Sequence, residues 1–411
     1  MERELKNSQD WSWIYKIGTV LLFLIYPLAA LPFICIEIYN RKRYAFSLLA
    51  IYLGYFAMLY PPTGDLYRYY QSFVLYSTLS FSEFLDVLTN MMDILQPFLF
   101  WGVAKLGMTC DSVRFLYLYI ACELIFTMYY ELTEGNGKPK NLNFLLFILL
   151  LMFLRFERYT VRFGMSTVFF VFGWYRIFFF NKRSFWLLIL LAILNHFSFI
   201  LPTLALIGAR CISFRPKRWV FLSLFVGTFL LSGDYISSII SLLPFNENVI
   251  NHLLAYTDGY WAGDFLEDHS AMFNLGRNLL KFPFFLFTLL LLKDFKEDQV
   301  TGTVVMSMVL VFIFSAFVTI QSRMEQIYVL QALVLLLKQG GDFLMNRKYA
   351  RLAVICGCFY LFVCTWTIRR ELSISQEYKL LYPSYCIWTA PYEEDWVNTM
   401  VFTDGAPDVK F

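Results

Sequence analysis

Long apolar runs separated by short polar segments dominate the chain from end to end. Stretches such as 145–154, 185–194 and 304–314 contain no charged residue. A helix needs about 20 apolar residues to cross the hydrocarbon layer of a membrane. The runs do not show the alternation of apolar and polar residues that is typical of a membrane β-barrel. The pattern therefore predicts an all-α, polytopic integral membrane protein with about 10–12 transmembrane helices.

Most of the predicted spans are continuous, and two further apolar stretches are interrupted. The continuous spans cover residues 17–38, 44–60, 113–130, 142–154, 163–180, 219–243, 276–292, 301–320, 324–337 and 349–368. Residues 91–106 contain Pro97 and Gly102, which favours a re-entrant or interfacial segment over a span. Residues 184–209 contain His196 and Pro202 and have basic residues on both sides, which fits either two half-helices or one span.

The distribution of lysine and arginine predicts the topology. Basic residues are enriched in cytoplasmic loops, which places 41–43 and 338–351 in the cytoplasm. The segment around Asp65, the acidic and aromatic loop 246–274 and the polar tail 369–411 then lie outside. If 91–106 crosses the membrane, the sides of all later loops are exchanged. No long linker interrupts the pattern, so residues 1–411 are predicted to form a single integral membrane domain.

The composition is that of a membrane protein, and it limits which metals and cofactors are expected. The chain is 59% hydrophobic and 16% charged, whereas soluble domains carry about 25% charged residues. The 8 cysteines are scattered and the 3 histidines form no ligand pattern, so no metal is predicted. No phosphate-binding glycine-rich loop occurs, and therefore the use of ATP or a nucleotide sugar is not expected. No cofactor and no nucleic-acid partner are predicted.

Ionisable residues beside the apolar runs are the candidates for function, because charge is costly next to lipid. In the predicted topology Asp65, Arg162, Arg323 and the loop 246–274 share the outer face. Arginine presents a fork of donors that matches phosphate or carboxylate. The alternative for Arg155, Arg158, Arg162 and Arg323 is snorkelling to the membrane interface.

The other candidates also have structural alternatives. Asp65 could act as a general base or bind a sugar hydroxyl, but Pro61-Pro62-Thr63-Gly64-Asp65 is also a good turn. Tyr69 could stack on a sugar ring or belong to the interfacial aromatic belt. His196 could take part in glycan or proton chemistry, or hold helices together by hydrogen bonds.

Four elements resemble a known family. Gly64-Asp65-x-x-x-Tyr69-x-x-x-Phe73 is similar to its Gly-x-Asp-x-x-x-Tyr-x-x-x-Tyr element. The residues around Arg162 resemble its Ile-Arg-Gln element, although Phe163 stands in place of the glutamine. Residues 191–200, with His196 and Ser198, resemble its Ala-x-x-x-His-x-Ser-x-Leu element, and Arg323 precedes Tyr328 as in a later stretch. These features resemble the EpsG-like family of bacterial polysaccharide polymerases, which act in the same role as O-antigen polymerases.

The resemblance implies a glycosyltransferase of the bacterial inner membrane with its active site facing the periplasm or exterior. It would polymerise polyprenyl-diphosphate-linked oligosaccharide units into O antigen, capsule or exopolysaccharide. A chain-length regulator and a flippase are candidate partners, besides the lipid bilayer. The implied catalytic residues are Asp65, Arg162, Arg323 and His196. The candidate substrate-binding residues are Arg68, Tyr69, Arg158, Tyr260 and Trp261.

Two other functions remain open at the level of the sequence. A flippase for lipid-linked oligosaccharide would also be polytopic and rich in arginine, but it should show repeat symmetry, and none is visible. A glycan ligase would share the chemistry and transfer the glycan to a different acceptor.

Overall fold

The chain is helical throughout the residues that its structure, a computed structural model, describes. These residues are 2–60, 65–89, 91–212, 250, 254, 299–314, 317–369, 372 and 375–389. No strand occurs within these ranges. The predicted spans 219–243 and 276–292 lie outside them, as does the loop 246–274 except for residues 250 and 254.

The first group of helices reaches residue 212. They are α1 (Glu2–Ile25), α2 (Pro27–Tyr39), α3 (Arg43–Leu59), α4 (Asp65–Thr78), α5 (Phe81–Thr89), α6 (Leu95–Lys105), α7 (Cys110–Thr133), α8 (Lys140–Phe153), α9 (Arg162–Phe180), α10 (Trp186–Asn195) and α11 (Ile200–Ile212). Short 3₁₀ helices lie at Phe156–Thr160, Arg183–Phe185 and Phe197–Phe199. The later helices are α12 (Gln299–Ile313), α13 (Val318–Met345), α14 (Arg347–Thr367) and α15 (Ser384–Thr389), with a 3₁₀ helix at Glu377–Leu381.

By length and composition, α7, α9 and residues Arg347–Trp366 of α14 could each cross a membrane. The shorter apolar helices are Trp13–Ile25, Pro27–Tyr39, Arg43–Leu59, Lys140–Phe153, Arg183–Asn195, Phe197–Cys211 and Gln299–Ile313. The bounds of α3, α7, α8, α9 and α14 agree with the predicted spans to within about three residues. The predicted fold class, an all-α polytopic membrane protein, is confirmed.

The first predicted span is divided in the structure. Residues 17–38 belong to α1 and α2, which meet at Tyr26. Pro27 opens α2 and has no N–H to donate, so one bond of a continuous helix is lost at this position. The Tyr26 N–H still bonds to the Leu22 carbonyl at 2.7 Å, and the Ala30 N–H bonds to the Tyr26 carbonyl at 3.2 Å. The two helices therefore follow one another around a proline kink.

Both interrupted stretches are broken in the structure. The helix α6 has 11 residues, which corresponds to about 16 Å and is too short to cross a membrane of about 30 Å. Residues 184–209 form α10 and α11, with the 3₁₀ helix Phe197–Phe199 between them. Of the two arrangements that the sequence left open for this stretch, the structure favours the broken one.

Contacts divide the chain into two compact units. The first contains Met1–Ile148, Arg155–Met165 and Cys364–Phe411, and the second contains Leu149–Leu154 and Ser166–Val363. A unit defined by contacts need not fold on its own, so the single membrane domain stays a prediction.

In the first unit, α3 packs against α7 through aromatic rings and one glycine. The ring of Phe46 on α3 lies 6.0 Å from that of Phe126 on α7 and 5.4 Å from that of Phe147 on α8. A Cβ atom on Gly54 would come within 2.6 Å of the Phe115 ring, so glycine permits the close approach of the two helices. The α15 helix packs onto the same unit, because Trp388 lies 4.7 Å from the Phe115 ring.

The second unit is held partly by hydrogen bonds between buried side chains. The Trp174 indole N–H of α9 donates to the Thr303 hydroxyl of α12 at 2.6 Å. Trp174 and Thr303 are both buried. Such bonds stabilise helix pairs in a membrane, where apolar burial alone gives little driving force between helices.

Candidate functional site

Arg162 is the first residue of α9, and its backbone is fixed by the turn that precedes it. The 3₁₀ helix Phe156–Thr160 leads into α9, and Tyr159 and Thr160 are buried. Gly164 lies against this turn: a Cβ atom there would overlap the Arg158 carbonyl oxygen and come within 2.6 Å of its carbon. Glycine at position 164 is therefore required for the turn to pack on the first turn of α9.

The Arg162 side chain contacts two residues from elsewhere in the first unit. Its Nη1 donates to the Asp93 Oδ2 at 2.7 Å, and its guanidinium carbon lies 5.5 Å from the centre of the Tyr69 ring. The Arg162 side chain is 29% exposed and that of Asp93 is 14% exposed. The structure thus brings together Arg162 and Tyr69, both predicted from the sequence, and adds Asp93, which was not.

Three short helices place Tyr69 and Asp93. Ser80 and Glu83 form a capping box at the start of α5, in which the Ser80 N–H donates to Glu83 at 2.8 Å. The two hydrogen bonds from Ser80 hold the pKa of Glu83 below its ordinary value. Aromatic rings then join α5 to α6, since Phe84 stacks on Trp101 at 5.4 Å. The Trp101 indole N–H donates to the Leu79 carbonyl at 3.2 Å.

Tyr76 connects α4 to the segment before α6, and the charge of Arg162 influences the pKa of its phenol. It lies on α4, and its hydroxyl contacts the Met91 sulfur at 3.7 Å. Burial raises the pKa of the Tyr76 phenol, whereas a hydrogen bond with Ser72 and the positive charge of Arg162 lower it in part. The charge of Arg162 therefore acts on the Tyr76 phenol of α4.

The segment predicted as the Asp65 loop differs from the expectation. Asp65 is the first residue of α4 and lies one turn before Tyr69. An acidic residue is favoured at this end of a helix, because the helix dipole is positive there. The Asp65 side chain lies outside the described part of the structure. Arg68 is exposed on α4, and Arg158 lies in the 3₁₀ helix before α9.

His196 and Arg323 belong to the second unit. His196 caps the 3₁₀ helix Phe197–Phe199, and its Nδ1 lies 2.9 Å from the Ser198 hydroxyl. The neighbouring Asn195 donates to the Ser166 hydroxyl at 3.0 Å, and both Asn195 and His196 are buried. Arg323 lies in the second turn of α13, within the helix and not before it. Tyr260 and Trp261 lie outside the described residues.

A comparison with known protein families identifies the family of the chain. The model of the EpsG family matches residues 42–382, which is most of the chain and includes Arg162, His196 and Arg323. The chain belongs to the EpsG family. This is a polysaccharide polymerase-like family, and the resemblance seen in the sequence is confirmed. No curated protein and no solved structure shows significant similarity to the chain.

This EpsG-family protein also carries a buried ion pair that sequence reasoning missed. Asp111 accepts a bond from the Arg114 Nη1 at 2.8 Å, and the two side chains are 3% and 5% exposed. The Arg114 Nη2 donates to the Tyr60 carbonyl at 2.8 Å. Arg114 thereby ties the start of α7 to the chain just before the segment that leads to Asp65. A cavity of about 10 Å³, roughly the volume for one water, adjoins Arg114.

We expect Arg114→Met to destabilise this EpsG-family protein by about 3–5 kcal/mol, because the buried Asp111 carboxylate would lose its counter-charge. The measurement is thermal unfolding of the protein in detergent. A paired variant, Asp111→Asn with Arg114→Met, removes both charges and should be destabilised less than Arg114→Met alone. Equal unfolding temperatures for Arg114→Met and the native protein would show that the pair does not stabilise the fold.

Proposed function

We propose that the protein is a membrane glycosyltransferase that joins polyprenyl-diphosphate-linked oligosaccharide units into a surface polysaccharide. The reaction takes place at the outer face of the bacterial inner membrane. The observation that carries the proposal is Arg162, a partly exposed arginine held by Asp93 and Tyr69 at the start of a membrane helix in an EpsG-family chain. The product would be O antigen, capsule or exopolysaccharide, and a flippase and a chain-length regulator would be partners.

The chemistry needs a cation and a base. A hydroxyl of the acceptor glycan attacks the anomeric carbon of the donor glycan, and the bond from that carbon to the lipid diphosphate breaks. The hydroxyl proton passes to the base, and the departing diphosphate takes the bonding electrons. Fixed donors aimed at the charge that develops on the leaving group lower the barrier of such a step.

Arg162 is suited to the role of the cation. A guanidinium keeps its charge and can bind two phosphate oxygens at once. The first turn of α9 lies at the positive end of the helix dipole, which also favours an anion. We propose that Arg162 and the start of α9 neutralise the diphosphate without a metal ion, and that Arg323 is a second arginine that the reaction needs.

We propose Asp65 as the base or as the group that orients the acceptor sugar, and His196 as a structural residue. The buried His196 ring already bonds to Ser198, whereas Asp65 opens α4 one turn from Tyr69. We expect Asp65→Asn to lower the polymerisation rate by about 10²–10⁴-fold, the range of general base catalysis. His196→Gln keeps a hydrogen-bonding side chain and should retain partial activity. Normal polymerisation by Asp65→Asn and none by His196→Gln would reverse the two roles.

The proposed orientation predicts which positions a membrane-impermeant thiol reagent can reach. In a background without the 8 native cysteines, a cysteine at Arg68 should be labelled from outside intact spheroplasts. Cysteines at Lys42 and Lys348 should be labelled only after the membrane is opened, because basic loops face the cytoplasm. All three positions are exposed in the structure. Labelling of Lys42→Cys but not Arg68→Cys from outside would contradict the orientation.

Deletion of the gene separates the proposed function from its rivals. Loss of a polymerase should leave a surface glycan of one repeat unit, because export and attachment still work. Loss of a flippase would leave lipid-linked repeat units inside the cell, and loss of a ligase would leave full-length polymer on its lipid carrier. Either of the last two results would overturn the proposal.

A further inference from the structure

We propose that Asp93 is the residue that positions Arg162 for the transfer reaction, by holding the guanidinium against the face of Tyr69. This inference rests on the proposed function, since the role of Asp93 is defined by what Arg162 does to the lipid diphosphate. Asp93 itself need not touch the substrate.

The contacts fix Arg162 from two sides. Asp93 Oδ2 accepts from Nη1 at 2.7 Å, and the Tyr69 ring lies 5.5 Å from the guanidinium carbon. The ion pair sets the direction of the planar fork, and the ring supports its face. With 29% of the side chain exposed, the arginine remains accessible to a phosphate.

Helix electrostatics explain why Arg162 needs a carboxylate. The first residue of a helix faces the positive end of the dipole, where a cation is unfavourable. An arginine there also has several rotatable bonds, and its side chain loses conformational entropy when it is held in one place. The attraction to a carboxylate at 2.7 Å compensates for both of these free-energy costs. Without it, the guanidinium would turn away from the helix end and from the position where the diphosphate binds.

Asp93 is suited to this role because its own backbone is anchored on both sides. The Met91 N–H before it bonds to the Leu88 carbonyl at 3.1 Å, and the Met91 sulfur contacts Tyr76. After it, Gln96 and Pro97 of α6 are buried. The aromatic contacts between α5 and α6 hold this segment in place, so its carboxylate is presented from a defined position. A side chain on a rigid support holds its partner in a defined geometry.

The test is a double-mutant cycle on the purified protein in proteoliposomes, supplied with a polyprenyl-diphosphate-linked repeat unit. We expect Asp93→Asn to lower kcat by about 10–100-fold, as small displacements of a catalytic group do, with a smaller change in KM. Asp93→Glu keeps the charge and should recover part of kcat. In an Arg162→Lys background, Asp93→Asn should lower kcat by a much smaller factor, because the two residues act through one interaction. Asp86 is an exposed carboxylate of α5. Asp86→Asn is therefore the matched control, and its kcat and KM should equal those of the native protein.

The outcomes distinguish this inference from the proposed function. If the native protein forms polymer and Asp93→Asn forms it with unchanged kcat, Asp93 does not position Arg162. Equal losses in the native and Arg162→Lys backgrounds would also overturn the inference, since they would show independent action. A native protein that forms no polymer would instead overturn the proposed function, and with it the role that depends on it. Thermal unfolding of each variant separates loss of catalysis from loss of fold.

Discussion

Replacement of Arg162 by alanine is expected to abolish long polysaccharide and leave mainly single repeat units. The variant loses the cation that the structure holds at the start of α9, between Asp93 and Tyr69. Removal of one group that stabilises developing charge typically costs about 10²–10³-fold in rate. The measurement is the length of the surface glycan on a gel, at equal levels of the protein in the membrane.

Arg162→Lys should also be impaired, because an ammonium is a point charge and cannot reproduce the planar fork that binds two oxygens. Arg183→Ala is the matched control, since Arg183 is an exposed arginine in the turn after α9 and plays no part in the proposed site. Normal chain length from Arg162→Ala would remove this arginine from the mechanism.

Substitution of Gly164 by alanine is expected to have the second large effect. The added Cβ would overlap the carbonyl of Arg158, which is backbone and cannot rotate away as a side chain could. The turn Phe156–Thr160 and the start of α9 would have to separate, which carries Arg162 away from Asp93. Overpacking of this kind costs about 1–3 kcal/mol or more. We therefore expect a lower unfolding temperature together with loss of polymer.

Gly102→Ala provides the comparison for Gly164→Ala. Gly102 lies inside α6, and a Cβ atom there would meet nothing within 4 Å. Alanine also has the higher helix propensity, by about 1 kcal/mol. This variant should therefore be as stable as the native protein and fully active. If Gly164→Ala behaved like Gly102→Ala, the close packing of the turn against α9 would not matter for the site.

The helices were predictable because a single physical requirement determines them. Apolar runs in a membrane protein must satisfy their backbone hydrogen bonds internally, and only helices do so within one segment. Bounds such as those of α7 and α9 followed from the ends of the runs. The kink at Pro27 and the helical start at Asp65 were missed, because they depend on local backbone geometry within or beside a run.

The candidate site was predictable only in part. Arg162 and Tyr69 were identified as polar residues beside apolar runs, and the structure brings them together. Asp93 was missed because it lies inside the apolar stretch 91–106, between α5 and α6. It is joined to Arg162 by tertiary packing, which a local sequence pattern does not reveal. Arg114 could have been found: Asp111 and Arg114 are three residues apart at the start of an apolar helix, a spacing that predicts an ion pair.

Polymerisation by the purified protein alone would test the proposed function directly. The protein is reconstituted into liposomes with a polyprenyl-diphosphate-linked repeat unit as both donor and acceptor, and the products are separated by size. We expect a ladder of lipid-linked glycans that differ by one repeat unit, formed without nucleotide and absent with Arg162→Ala. A single band of unreacted repeat unit from folded native protein, or an equal ladder from Arg162→Ala, would contradict this expectation.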